Sequence, residues 1–168
     1  MNENDRLPSI IDVEASGFGP DSYPIEIGLA LDNGAKYCSL VLPASDWTHW
    51  DDEAEKVHRI PRDILEDHGK PMKRVANELN ELLENKTVYS DGWVVDHPWL
   101  VKLFGTCNIA PKFQTSSLEM ILSEEQMEAW HDTKDVVLSE MDLKRHRASY
   151  DAYIIQQTWA RTRGAGRS

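Results

Sequence analysis

Two carboxylates near the start of the chain, Asp12 and Glu14, stand two residues apart within the apolar run 10–14. On a β-strand, side chains alternate between the two faces, so both acids would project from one face while Val13 points to the other. Carboxylates held about 7 Å apart along a rigid strand repel each other unless a cation lies between them. The pair therefore predicts either a solvated acidic strand or a metal site, and other ligands must decide between the two.

Two more carboxylates and a histidine lie where predicted elements begin. Asp96 follows a predicted strand, at the point where a helix should start with Pro98 in its first turn. Asp151 lies one turn into a predicted C-terminal helix, beside its apolar stripe, where a carboxylate needs a partner. His146, five residues earlier, falls in the loop before that helix and can swing toward a site that Asp151 anchors.

This set of residue types suits phosphodiester chemistry. Hard oxygen ligands favour Mg²⁺ or Mn²⁺ over zinc. Two such ions about 4 Å apart can hold the attacking and leaving oxygens of an in-line phosphoryl displacement. An imidazole that is neutral near pH 7 can take the proton of the attacking water. We therefore expect two divalent cations, Mg²⁺ or Mn²⁺, with His146 as the base.

The elements that must position these residues follow an α/β pattern. Residues 25–31 alternate as in a half-buried strand, and the Asn33-Gly34 pair predicts a hairpin after it. The predicted strands are 10–14, 25–31, 36–42, 87–90 and 112–118, and the predicted helices are 71–85, one that begins at 96, and 147–161, with further helical segments in 44–70 and 119–145. The order βββαβαβα implies a three-layer α/β domain with a five-stranded mixed sheet and helices on both faces.

The composition limits the class of protein. A length of 168 residues with 40% hydrophobic residues suits one domain, predicted over 1–162 and followed by a flexible basic tail, 163–168. The formal charge of −11 is the wrong sign for nucleic-acid binding through Lys and Arg, although divalent metals can supply local positive charge. Cys38 and Cys107 lack the spacing of a zinc site. No signal peptide or membrane-spanning run is visible, so we expect a soluble, cytoplasmic protein.

At these residues the sequence resembles the DEDDh 3′→5′ exonucleases, a family with the DnaQ-like, RNase H-like fold. The segments that carry the resemblance are Asp12–Glu14, the loop 15–20, Ile25–Gly28, His58–Ile60, Val95–Leu100 and His146–Asp151. The last of these matches the His-x4-Asp motif of the family. Two positions depart from the family pattern, because Arg59 replaces a glycine and Val95 replaces an aromatic residue. The resemblance spans 10–156 and is greater to small stand-alone exoribonuclease-like members than to polymerase proofreading subunits.

The resemblance implies roles for particular residues. Its metal ligands would be Asp12, Glu14, Asp96 and Asp151, and its general base would be His146. Predicted substrate contacts are Ala15, Ser16, Gly17, Phe18, His58, Ile60 and Arg145. Two further acids stay open: Asp91 is an alternative to Asp96, and Glu26 is expected to orient a ligand or a water.

The predicted activity is metal-dependent 3′→5′ removal of nucleoside 5′-monophosphates from single-stranded 3′ ends or overhangs, with RNA preferred over DNA. The alternatives are a DNA-directed exonuclease, a catalytically silent nucleic-acid-binding module of the same fold, and an endonuclease that cuts within RNA–DNA hybrids. The expected partners are single-stranded RNA or DNA ends, with a homodimer left open and no membrane.

Overall fold

The computed structural model describes residues 6–141 and 147–164, and a five-stranded mixed sheet lies at its centre. The strands are β1 Ser9–Ala15, β2 Pro24–Ala30, β3 Lys36–Leu40, β4 Thr87–Ser90 and β5 Gln114–Ser117. Their order across the sheet is β3-β2-β1-β4-β5. The first three strands are antiparallel neighbours, whereas β4 is parallel to β1 and β5 is parallel to β4. The predicted mixed sheet is confirmed.

Helices cover both faces of the sheet. They are α1 Asp52–His58, α2 Arg62–His68, α3 Met72–Leu83, α4 Trp93–Thr106, α5 Glu124–Glu140 and α6 Ala148–Thr162, with a 3₁₀ turn at Leu118–Ile121. Helices α3 and α4 enclose the main core on one face. Helix α6 packs on the other face against β1 and β2, and α5 packs against α6. Within residues 6–141 and 147–164, none of the helices has both the length and the apolar character needed to cross a membrane.

The register between β1 and β2 places four important residues on one face. Asp12 pairs with Gly28 and Glu14 pairs with Glu26. Directly opposed residues in an antiparallel pair project from the same face, and every second residue along a strand does the same. The two acids of β1 therefore share a face with Glu26 and Gly28, and this is the face that α6 covers.

Strand β2 is buried along its whole length, whereas the alternation of its residues predicted burial on one face only. Ile27 and Leu29 pack into the main core, as predicted. On the opposite face, Ala30 packs with residues of α6 in a second cluster. The prediction was wrong because small residues on that face allow a helix to pack there, and strand alternation does not report this contact.

Helix α4 begins at Trp93, three residues before the predicted start at Asp96. It starts early because the Gly92 carbonyl accepts hydrogen bonds from the backbone N–H groups of Val95 and Asp96, both at 2.9 Å. Pro98 consequently lies inside the helix instead of in its first turn. The early start places Asp96 in the first turn with its side chain buried.

The middle of helix α6 is held by hydrogen bonds to the chain beside β1 and β2. The Gln156 Nε2 atom donates hydrogen bonds to the carbonyl oxygens of Pro8 at 3.0 Å and Leu31 at 2.8 Å. The helix ends at Thr162, and the last four residues of the predicted basic tail lie outside the described residues. These contacts fix α6 over the face that carries the acids of β1.

Candidate metal centre

Three carboxylates from two elements meet over this face of the sheet. Asp12 and Glu14 come from β1, and Asp151 comes from the first turn of α6. Each offers one oxygen, and the three oxygens lie within 4.8 Å of one another. The structure therefore brings together three of the four predicted metal ligands from positions up to 139 residues apart in the chain.

Asp12 carries the clearest sign that this group binds a cation. Its Oδ2 atom is buried and accepts no hydrogen bond from any residue that the structure describes. Burial raises the pKa of Asp12 well above its usual value, and the nearby charges of Glu14, Asp96 and Asp151 raise it further. A buried carboxylate among other carboxylates is costly unless a cation compensates it. An all-carboxylate set of oxygen donors fits a hard divalent cation such as Mg²⁺ or Mn²⁺.

Glu14 shows the same repulsion. Burial raises its pKa from 4.5 to about 7, with further contributions from Asp151, Glu26 and Asp96. Near neutral pH, about half of this carboxyl would then hold a proton in the metal-free protein. A cation that binds here must displace that proton, so metal binding and deprotonation are coupled.

Asp96 lies outside the group of three but close enough to act on it. Its Oδ2 atom accepts a hydrogen bond of 2.6 Å from the Ser90 hydroxyl. Burial raises the pKa of Asp96 to about 7, although hydrogen bonds from Ser90 and from the Val13 backbone lower it. The supporting role of Ser90 was not anticipated from the sequence.

Asp91, the predicted alternative to Asp96, is exposed in the turn between β4 and α4. Its charge raises the pKa of Asp96 and that of Asp12. It does not belong to the group of three oxygens found in the described part of the chain. Asp96 also lies outside that group but differs from Asp91 in being buried, and its role as the fourth ligand stays a prediction.

The loop that follows β1 is closed at its base and exposed at its tip, residues 18–21. The Ser16 hydroxyl accepts a hydrogen bond from the Tyr23 amide at 3.1 Å, which closes the base of the loop. Gly17 packs so closely against His49 that a Cβ at this position would lie 2.6 Å from the imidazole Cε1 atom. Phe18 is 69% exposed. Of the predicted contacts in this loop, Phe18 is thus the side chain presented to a ligand.

Three other predicted substrate contacts, Ala15, His58 and Ile60, are buried. His58 ends α1, and its Nδ1 atom accepts a hydrogen bond of 3.0 Å from the Ile60 amide. Arg59 follows in the left-handed conformation with φ of 57°, a conformation that glycine adopts more easily. In this structure the segment closes a helix and fills a core, and its contact with a substrate stays a prediction.

The predicted base, His146, and the predicted phosphate contact, Arg145, lie outside the described residues. The first described residue after them is Arg147, immediately before α6. Their predicted roles depend on where that segment lies, and they stay predictions.

Glu26, which was predicted to orient a ligand or a water, contacts the start of α6. Its side chain is 1% exposed, and its Oε1 atom accepts a hydrogen bond of 2.7 Å from the Ala148 amide. Its Oε2 atom lies 3.3 Å from Nε of Arg147. Burial raises the pKa of Glu26, while these two contacts lower it. The sequence signal was a charged residue within an apolar strand, which requires a partner inside the protein.

Solved structures of exonuclease I share this fold. The structure of E. coli exonuclease I in complex with a dT13 oligonucleotide has a TM-score of 0.71 and 13% identity, and the match covers 95% of this chain and 41% of that chain. Exonuclease I with the inhibitor BCBP has a TM-score of 0.70 and 13% identity, with 96% and 42% covered. A product-bound exonuclease I has a TM-score of 0.68 and 13% identity, with 94% and 43% covered.

The chain spans about two-fifths of the length of the exonuclease I chains that it matches. A scan of protein-family models and a search of curated proteins give no significant match. Structural similarity at this low identity shows a shared fold. The chain therefore has the RNase H-like α/β fold of exonuclease I, with a group of carboxylates where its first strand meets its last helix.

Proposed function

We propose that this chain is a metal-dependent 3′→5′ exonuclease that acts on single-stranded nucleic-acid ends. The observation that carries the proposal is the group formed by Asp12, Glu14 and Asp151, each with one oxygen within 4.8 Å of the others, together with the unsatisfied Oδ2 atom of Asp12. The fold shared with exonuclease I supports it, as does the order of the sequence motifs. The resemblance to small stand-alone exoribonuclease-like members belongs to the same proposal.

The four carboxylates would hold two divalent cations, Mg²⁺ or Mn²⁺. The ligands would be Asp12, Glu14, Asp96 and Asp151. When bound, the cations supply Lewis-acid stabilisation of the negative charge that develops on the phosphate. The protein's own contribution is to keep these acids close together despite their repulsion, so that the site exists before the substrate arrives.

The remaining steps fall to residues around the carboxylates. His146 would take the proton of the attacking water, as a neutral imidazole can near pH 7. Phe18, exposed in the loop that follows β1, would pack against the terminal nucleotide, a contact that tolerates any base. The released product would be a nucleoside 5′-monophosphate.

A product ladder tests the proposal. RNA and DNA oligonucleotides of one sequence, labelled at the 5′ end and either blunt or overhanging, are incubated with Mn²⁺ or with EDTA. We expect a ladder of one-nucleotide steps in Mn²⁺ and none in EDTA. The variants Asp12→Asn and Asp151→Asn should lose the ladder, while Asp91→Asn, changed in the exposed turn, should keep it. Full activity in either of the first two variants, or in EDTA, would contradict the proposal.

The same ladder compares the two sugars and the two modes of cleavage. The sequence favours RNA, whereas the oligonucleotides in the similar exonuclease I complexes include dT13 and dA13. Faster shortening of the RNA strand would support the preference for RNA, and faster shortening of the DNA strand would assign a DNA-directed exonuclease. Internal products without a ladder would instead indicate an endonuclease.

A further inference from the structure

Helix α6 begins without a side-chain cap of its own. Arg147 occupies the N-cap position, and its side chain makes no capping hydrogen bond in the described structure. The first amides of a helix have no partner within the helix and need an acceptor from elsewhere. Glu26 supplies one from β2, 122 residues away, through its bond of 2.7 Å to the Ala148 amide. A carboxylate at this position also interacts favourably with the helix dipole.

Gly28 completes the contact between β2 and the start of α6. A Cβ added at Gly28 would lie 2.1 Å from the carbonyl carbon of Ala148 and 2.2 Å from the backbone nitrogen of Ser149. The helix backbone therefore rests directly on the strand. Glu26 and Gly28 lie two residues apart on one face, and we call them the α6 seat.

Both carboxylate oxygens of Glu26 are directed to the helix start. Oε1 accepts from Ala148, and Oε2 lies 3.3 Å from the guanidinium of Arg147. Among the residues that the structure describes, the group of close carboxylate oxygens does not include Glu26. Glu26 would therefore act on the metal centre through the helix and not as a ligand.

We propose that Glu26 is a positioning residue, which fixes the first turn of α6 so that Asp151 reaches Asp12 and Glu14. Asp151 lies three residues after Ala148, within the same helical turn, and Glu14 is the cross-strand partner of Glu26. The hydrogen bond from Ala148 to Glu26, together with the close packing on Gly28, thus sets the height of the first turn relative to β1. The inference rests on the proposed function in one respect, because it takes the three carboxylates to bind a divalent cation.

Three substitutions separate the length of the side chain from its charge. Glu26→Gln keeps an oxygen at the same reach, Glu26→Asp keeps the charge but shortens the reach, and Glu26→Ala removes both. Mn²⁺ affinity is measured by electron paramagnetic resonance, and protection of the Ala148 amide is measured by hydrogen exchange. We expect Glu26→Gln to stay within about threefold of the wild type in both. We expect Glu26→Asp and Glu26→Ala to lose about 10-fold to 100-fold in Mn²⁺ affinity, with faster exchange at Ala148.

Asn80→Ala is the matched control. Asn80 is a buried polar residue of α3 that donates to the Ala110 carbonyl at 3.0 Å and accepts from the Lys112 amide at 2.8 Å. Its loss should lower the thermal midpoint while Mn²⁺ affinity and Ala148 exchange stay unchanged. If Asn80→Ala weakens Mn²⁺ binding as much as Glu26→Ala does, the effect is general destabilisation and the inference is overturned.

Two further outcomes keep this inference apart from the proposed function. Wild-type Mn²⁺ affinity and wild-type Ala148 protection in both Glu26→Ala and Glu26→Asp would overturn the positioning role. If the wild type binds no Mn²⁺, the proposed function fails. In that case the exchange of the Ala148 amide still tests Glu26 separately, because unchanged exchange in these variants would refute its positioning role. If Glu26→Ala does not fold, the comparison of Glu26→Asp with Glu26→Gln decides the question.

Discussion

The substitution Gly28→Ala tests the close contact between β2 and α6 with a single methyl group. The added Cβ would lie 2.1 Å from the carbonyl carbon of Ala148, whereas ordinary van der Waals contact begins at 3.4 Å. The start of α6 must therefore recede by roughly 1.3 Å, because the interior is packed too closely to absorb the overlap elsewhere. Overpacking of this kind lowers the free energy of unfolding by about 1–3 kcal/mol.

The same displacement should reach the metal centre. Asp151 lies in the first turn of the helix that must move, while Asp12 and Glu14 stay on the strand. A misplacement of about 1 Å can lower catalytic rates by about 100-fold. We expect Gly28→Ala to fold, to bind Mn²⁺ at least 10-fold more weakly, and to shorten oligonucleotides about 100-fold more slowly.

The assays are urea unfolding, Mn²⁺ titration and the product ladder, each carried out beside Gly105→Ala. Gly105 lies within α4, and apart from its chain neighbours and the nearby backbone of that helix, no described atom lies within 4 Å of the position that its Cβ would take. This control should leave Mn²⁺ binding unchanged and raise the free energy of unfolding by up to about 1 kcal/mol, since alanine favours the helix. Wild-type stability together with wild-type Mn²⁺ affinity in Gly28→Ala would refute the reasoning.

Three more predictions concern charge and backbone strain. Asp12→Asn should abolish Mn²⁺ binding. It should also raise the thermal midpoint in EDTA, because it removes one of several carboxylates that repel one another. A lower midpoint in EDTA would contradict this prediction. Without metal, the pKa values of Glu14 and Asp96 are about 7 in the folded protein, against ordinary values of 4.5 and 3.8. The folded protein therefore holds protons that the unfolded chain has released. In EDTA, the free energy of unfolding measured with urea should therefore fall as the pH rises from 4 to 7. In Mn²⁺ this fall should be smaller. A free energy of unfolding that rises with pH in EDTA would refute this prediction. Arg59→Gly should raise the free energy of unfolding by about 0.5–1 kcal/mol, because glycine removes the backbone strain of a side chain at φ of 57°. Asn85→Gly, at φ of 60°, should change the free energy of unfolding little, because asparagine tolerates this region.

Local sequence patterns predicted the strands well. Strand β4 has the predicted bounds, Thr87–Ser90. The pattern was clear because a short run of β-branched and aromatic residues lies between turn-forming residues. The start of α4 was misplaced, because the hydrogen bonds to the Gly92 carbonyl have no signal in the sequence, and Pro98 suggested a later start. Such errors of a few residues follow from reading a helix end by its side chains alone.

The acids of the metal centre were predictable, whereas the contacts that support them were not. Asp12, Glu14 and Asp151 stand in motifs with fixed spacing, so their meeting could be expected. The bond from Glu26 to Ala148 joins residues that no local pattern connects. Such contacts depend on how a helix packs on a sheet, and a single sequence does not specify them.

The separation of 122 residues between Glu26 and Ala148 has a consequence for the order of events during folding. The meander of β1, β2 and β3 can form from neighbouring segments, while the docking of α6 must close a long loop first. A nascent chain that ends before α6 would carry Asp12 and Glu14 without the third carboxylate. Cation binding would then require that this closure is complete, and the nuclease we propose would stay inactive until α6 has been synthesised and has docked on the sheet.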